Sequence, residues 1–191
     1  MTGLAEAELT VAEAAFVAGV SAETINREID AKIIPAKGTE RKVRGADLFY
    51  LAVIRDVRNH LGPSLRKSFR RAICEAAVGG EREAHYRHFV FSMTALREEL
   101  LTGFSRLERT VGQHVEQNPG VLSGEPVLKG TRLAVRHIAD LLRQGATIQE
   151  IKEDYDLSDS QVEAARIYDV THPKRGRPIR RRRTTHVPAA R

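Results

Sequence analysis

The chain has 191 residues with 31 Lys+Arg against 25 Asp+Glu, a net charge of +6, 41% hydrophobic residues, one cysteine and no tryptophan. That length accommodates one or two small domains. A lone cysteine excludes an internal disulfide or a multi-cysteine zinc site, and no apolar run approaches the ~20 residues of a membrane span, so a soluble, cytoplasmic protein with no membrane partner is expected. The N-terminus has no basic stretch followed by an apolar one, unlike a secretory leader. Charge is segregated. Eight basic residues and no acid lie in 172–191, which leaves 23 basic and 25 acidic groups before it, a net of −2.

Thr10 with Glu13 three residues on makes a capping box for a first helix, which Gly19 stops. Ser21 caps a second helix with Ile25 and Ile29 on one face, so 10–32 reads as helix-turn-helix. Between 33 and 44, two β-prone ends flank a Gly-bearing turn, the pattern of a hairpin or wing. Asp47 is expected to cap a third helix with Leu48, Leu51, Ile54, Val57 and Leu61 on its apolar side, and Ser64 a fourth that runs to about 78. Gly79-Gly80 marks a boundary; 88–93 reads as a short strand, and Thr94 as the cap of a long amphipathic helix. The block 124–135 predicts a tight hairpin. Helices follow over 135–144, from Thr147 to about 155 with Glu150 in a capping box, and from Ser158 to about 170; Pro173 ends ordered helix.

The fold class expected is mainly α: an N-terminal winged helix-turn-helix (1–78), a strand and connecting helix (84–117), a small trihelical domain with a short β-hairpin (118–171) and a disordered basic tail (172–191). In a winged helix-turn-helix the second helix enters the major groove and the wing reaches phosphates. Thr24, Asn26 and Arg27 are the candidate readers, Asn26 for adenine and Arg27 for guanine or phosphate. Lys37, Arg41, Lys42 and Arg44 supply the wing charge. Glu23, Glu28 and Asp30 share the reading helix and would repel phosphate. The order Thr10-Val11-x-Glu13-Ala14-Ala15, Gly19-Val20-Ser21, short wing and Asp47-Leu48 resembles the MerR/excisionase type.

Gly124-x-Pro126-x-x-x-Gly130-Thr131-Arg132, then Val135, Gly145, Glu150-Ile151, Tyr155, His172-Pro173 and Gly176-Arg177-Pro178 resembles a family long catalogued as a domain of unknown function. Some of its members are VapB-type antitoxins encoded beside PIN-domain ribonuclease toxins. The resemblance spans about 118–178 and implies a trihelical, commonly dimeric domain with a toxin-contacting C-terminal extension. It thereby implies an antitoxin that is a homodimer, forms a hetero-oligomer with its toxin and represses its own operator DNA. From their chemistry, Thr131 and Arg132 are expected to satisfy local carbonyls or a cross-dimer carboxylate. In the tail, Arg175, Arg177, Pro178, Arg180, Arg181, Arg182 and Arg183 are the toxin-binding candidates, since arginine forms bidentate bonds to the carboxylates of a metal-dependent nuclease. The same Lys174-Arg175-Gly176-Arg177-Pro178 resembles the core of an AT-hook, which lies in a narrow A·T minor groove.

Catalytic chemistry is not expected, and neither is a cofactor or metal. Gly130-Thr131-Arg132 lacks the Lys-Ser/Thr ending of a phosphate loop. His85 and His88 have no nearby carboxylate to complete a metal triad, Cys74 reads as a small core residue, and nothing assembles nucleophile, base and orienting group.

Overall fold

A computed structural model describes residues 3–35 and 41–173. Its N-terminal half is organised by short local signals. Helix α1 (Gly3–Glu6) and strand β1 (Glu8–Thr10) lead into α2 (Val11–Ala18), where the Thr10 hydroxyl accepts from the Glu13 amide and the Glu13 carboxylate takes the Thr10 amide. Gly19 closes α2 at φ 65°, a left-handed conformation that costs glycine little. Ser21 caps α3 (Ala22–Asp30).

The expected wing hairpin is not formed between its own two ends. Beyond α3, Lys32 turns at φ 54°, and the amides of Ile33 and Ile34 both bond the Glu28 carbonyl. Those bonds, with burial of both isoleucines, spend this segment on ending the helix. Strand β2 (Lys42–Arg44) instead pairs antiparallel with β1, in the register Glu8↔Arg44, Leu9↔Val43, Thr10↔Lys42. Residues 36–40, Lys37 among them, lie outside the described residues.

Helix α4 (Gly45–Ile54) is the centre of the main core, with Leu48, Phe49, Tyr50, Leu51 and Ile54 all sealed from solvent. Asp47 is not its cap: Arg44 holds that position without a side-chain bond, and Asp47 is fully buried inside the first turn. The helix ends at Ile54, so Val57 is exposed rather than part of its apolar face. Gly45 lets α1 lie against α4, since a Cβ there would stand 1.5 Å from the Leu4 carbonyl oxygen.

Helix α5 (Pro63–Gly79) starts one residue before Ser64, with Pro63 in the first turn, where its missing N–H costs nothing. The strand expected over 88–93 has a partner: β3 (Glu83–Tyr86) and β4 (Phe89–Ser92) form a hairpin turning at Arg87, φ 54°. Phe69 of α5 meets Tyr86, Phe89 and Phe91 edge-on, at centroid distances of 5.4, 5.0 and 5.2 Å. Ser92, not Thr94, caps α6 (Met93–His114). This long helix packs on α2, where a Cβ at Gly103 would sit 3.0 Å from the Val17 carbonyl.

The C-terminal part follows its expected outline. Strand β5 (Val115–Glu116) pairs with β6 (Val127–Leu128), and a bridge from Val127 to Ala134 closes the hairpin around Gly130. Helices α7 (Val135–Gln144), α8 (Ile148–Tyr155) and α9 (Asp159–Thr171) enclose a second core of Leu128, Val135, Ile138, Ile151, Leu157, Val162 and Ala165. Helix α9 serves both cores: Ile167 belongs to the first, and α9 packs on α6 and α2 as well as on α7. No helix among the described residues is long and apolar enough to cross a membrane.

Candidate nucleic-acid interface

Helix α3 turns Ile25, Glu28 and Ile29 inward, which leaves Ala22, Glu23, Arg27 and Asp30 exposed and Thr24 and Asn26 at the margin. Its outward side chains are cross-tied. The Thr24 hydroxyl lies 3.0 Å from that of Ser21. Asn26 donates to the Ala22 carbonyl at 3.0 Å and accepts from Arg41 at 2.9 Å, and Arg41 also pairs with Asp30 at 3.0 Å. Arg27 pairs with Glu23 one turn earlier on α3. The structure therefore brings Asn26, Arg41 and Asp30 together. Both arginine pairs are well exposed, at 60% and 72% for Arg27 and Glu23 and 45% and 63% for Arg41 and Asp30. Exposed pairs contribute only ~0–1 kcal/mol, so a phosphate or a base edge can take either guanidinium at small cost.

Lys42 and Arg44 alternate with the buried Val43 along β2, which puts both on the exposed face of the strand. Pairing with β1 holds that face beside the helix-turn-helix, with Arg41 at its near end bonded to α3.

Glu28 does not add to the charge facing a nucleic acid. It is fully buried, accepting from the Tyr50 hydroxyl at 2.8 Å, from Arg58 Nε at 2.7 Å and from Arg66. Burial, then the bond to Glu28, pushes the Tyr50 hydroxyl far above the ordinary tyrosine range. This cluster ties the end of α3 to α4 and α5. Its signal was present in the spacing, because Glu28 falls three after Ile25 and next to Ile29 on the inward stripe. Asp47 is likewise buried, taking Arg70 Nε at 2.6 Å and the Cys74 thiol at 3.4 Å. Burial pushes that thiol up to about 12, with the Asp47 charge adding to the effect.

In the C-terminal part, Thr131 acts locally: its hydroxyl donates to the Leu128 carbonyl at 2.8 Å and accepts from the Leu133 amide at 3.1 Å. Arg132 is exposed. The acids of α9 are largely committed to arginines. Glu163 takes Arg166 through both oxygens at 2.7 and 2.8 Å and also takes Arg106 of α6. The Arg166 bond first, and then Arg106, hold its carboxyl below the usual range. Asp169 pairs with Arg143 at 3.2 Å and lies 4.0 Å from Arg136. At the end of α9, Tyr168 stacks on His172 with centroids 4.0 Å apart, and Arg136 donates to the His172 carbonyl at 3.2 Å. The tail candidates Arg175, Arg177, Pro178, Arg180, Arg181, Arg182 and Arg183 lie outside the described residues. His85 pairs with Glu83 at 3.3 Å, and among the described residues no group of three or more His, Cys, Asp or Glu is placed to hold a metal.

The arrangement is that of a helix-turn-helix flanked by a basic strand, joined to a trihelical unit. Residues 115–168 match the family described as "Protein of unknown function (DUF433)". Along nearly its whole length the chain is similar to the uncharacterized protein y4eO of Sinorhizobium fredii, 26% identical over 185 residues that cover 88% of this chain and 83% of that protein. The crystal structure of Rv2018 from Mycobacterium tuberculosis aligns over 82% of this chain and 95% of that one, at 19% identity and a TM-score of 0.30, a likeness too low to carry a structural argument.

Proposed function

We propose that this chain is the antitoxin of a type II toxin–antitoxin pair, a DNA-binding protein without catalysis of its own. It binds its own operator through α3 and β2 and neutralises a PIN-domain ribonuclease through its C-terminal arginines. The observation that carries the DNA half is the continuous strip formed by Asn26 and Arg27 on α3, Arg41 bonded to that helix, and Lys42 and Arg44 on the open face of β2. The toxin half is supported by the resemblance of 118–178 and by the division of charge, with eight cations confined to the last twenty residues. Guanidinium groups suit a cluster of nuclease carboxylates because two parallel N–H bonds neutralise charge and occupy the metal position together.

The test co-expresses the chain with a neighbouring PIN-domain ribonuclease, the partner this reading requires, and compares full length with a truncation after His172. Full length should suppress RNA cleavage, and the truncated chain should lose most of that suppression while still binding promoter DNA. Unchanged suppression by the truncated chain would overturn the tail-in-site mechanism. The Lys174-Arg175-Gly176-Arg177-Pro178 core supports a second reading, a stand-alone regulator whose tail lies in an A·T minor groove. In that case removing the tail weakens DNA binding instead, and no nuclease co-purifies.

A further inference from the structure

Beyond the helix-turn-helix, one open groove of about 490 Å³ is strongly basic; Arg44 of β2 forms one wall and Ser64, Lys67, Ser68, Arg70 and Arg71 of α5 the other. We infer that this groove is a second phosphodiester-binding site, one that grips the backbone of duplex DNA next to the segment contacted by α3. The inference rests on the DNA-binding half of the proposed function.

Charge is the first argument. Four cations meet here with two carboxylates: Asp47, buried beneath Arg44 and Arg70, and Glu75, paired with Arg71 at 3.0 Å. Asp47 is shared, at 3.7 Å from Arg44 and 2.6 Å from Arg70, so one carboxylate serves two guanidinium groups and a net positive charge remains at the surface. Arg70 keeps a buried Nη2 without a hydrogen-bond partner, and Lys67 is exposed with no ion pair among the described residues. Arg71, whose side chain is 82% exposed, can leave Glu75 at little cost.

Geometry is the second. Ser64, Lys67, Ser68 and Arg71 recur at three- and four-residue steps, so they share one face of α5. Seven residues of helix span ~10 Å, enough to meet two or three phosphates of one strand. Strand β2 connects this face to the reading helix: Arg41, just before the strand, bonds Asn26 of α3, and Arg44, at its far end, lines the groove. At ~3.3 Å per residue the two arginines stand ~10 Å apart along the strand. A duplex seated on α3 thus has a basic track running away from it across β2 and onto α5. Such contacts set register and affinity without reading sequence.

The experiment titrates the full chain into a fluorescein-labelled duplex from upstream of its own reading frame and into a shuffled duplex, over a series of salt concentrations. Lys67→Ala/Arg71→Ala leaves Asp47 and Arg70 untouched, and unchanged far-UV circular dichroism checks the fold. Loss of two phosphate contacts should lower the slope of log K against log[salt] by ~1.8, which is ~30-fold in affinity at 0.15 M salt, equally for both duplexes. Arg27→Ala should act differently, narrowing the preference for the upstream duplex over the shuffled one. If the double variant keeps both affinity and slope while Arg27→Ala weakens binding, the groove assignment is wrong and the helix-turn-helix reading stands. If the unsubstituted chain binds neither duplex, both fall. Lys67→Glu provides the converse check, and must weaken binding more than Lys67→Ala if phosphate approaches this wall.

Discussion

Removing the Glu28 carboxylate should be among the most damaging single changes to this chain. Glu28 is fully buried against Arg66 and Arg58, whose side chains are 9% and 19% exposed, so Glu28→Ala leaves two nearly dry guanidinium groups facing each other with only the Tyr50 hydroxyl between them. Breaking a buried ion pair from one side costs ~3–5 kcal/mol, because the partner's desolvation is no longer offset. Against a total stability of ~5–15 kcal/mol that is about a fifth at the least and the whole at the most. For a chain of this length it corresponds to a fall in Tm of ~6–20 °C. Urea unfolding followed by far-UV circular dichroism reads it as a lower midpoint at unchanged m. Adding Arg66→Met should restore part of the loss, since an apolar side chain of similar length removes one of the stranded charges. If Glu28→Ala shifts stability by less than ~0.5 kcal/mol, the level of an ordinary surface change, the cluster does not anchor α3.

Other outcomes follow from the same packing. Cys74 has a thiol raised to about 12, so its contribution is intact at and below the unfolded value of ~8.5 and is lost as pH climbs from there towards 12; Cys74→Ala should flatten the onset of alkaline destabilisation, and the native thiol should react with Ellman's reagent only as fast as the chain opens. Glu163 has the opposite sign. Its carboxyl is lowered, so its contribution holds above the unfolded value of ~4.3 and fades below it, and Glu163→Gln should shallow the acid limb of the stability profile. Gly45→Ala cannot be absorbed without moving backbone, since its Cβ would meet the Leu4 carbonyl at 1.5 Å; a loss of ~1–3 kcal/mol is expected, and hydrogen exchange over α1 should speed up more than over α4.

The capped helices were legible because their signals are local. Thr10 with Glu13, Thr147 with Glu150, Ser158 and Gly145 each act within one turn, and α2, α8 and α9 begin, and α7 ends, where those residues put them. What escaped depends on partners distant in the chain. Strand β2 looked like half of a hairpin because its true partner, Glu8–Thr10, is too short and polar to read as a strand. Asp47 had the residue type and position of a cap, yet the incoming chain puts Arg44 there and Arg70 draws the carboxylate inward. The candidate interface is only half visible in the sequence. Helix position alone points to Thr24, Asn26 and Arg27, but the bond that fixes Arg41 onto Asn26 exists only once β2 docks on β1.

The stacked rings of Tyr168 and His172, with Arg136 on the His172 carbonyl, give the basic tail a fixed mooring. Arg175 to Arg183 follow three to eleven positions beyond His172, so none is farther from that mooring than ~10–40 Å of extended chain. A ligand that touches both the folded body and those guanidinium groups therefore engages two sites on one chain, and its second contact is made within the complex already formed by the first. Weak contact with the body and weak contact with the tail then multiply, and a partner able to use both is retained far longer than one that engages either alone.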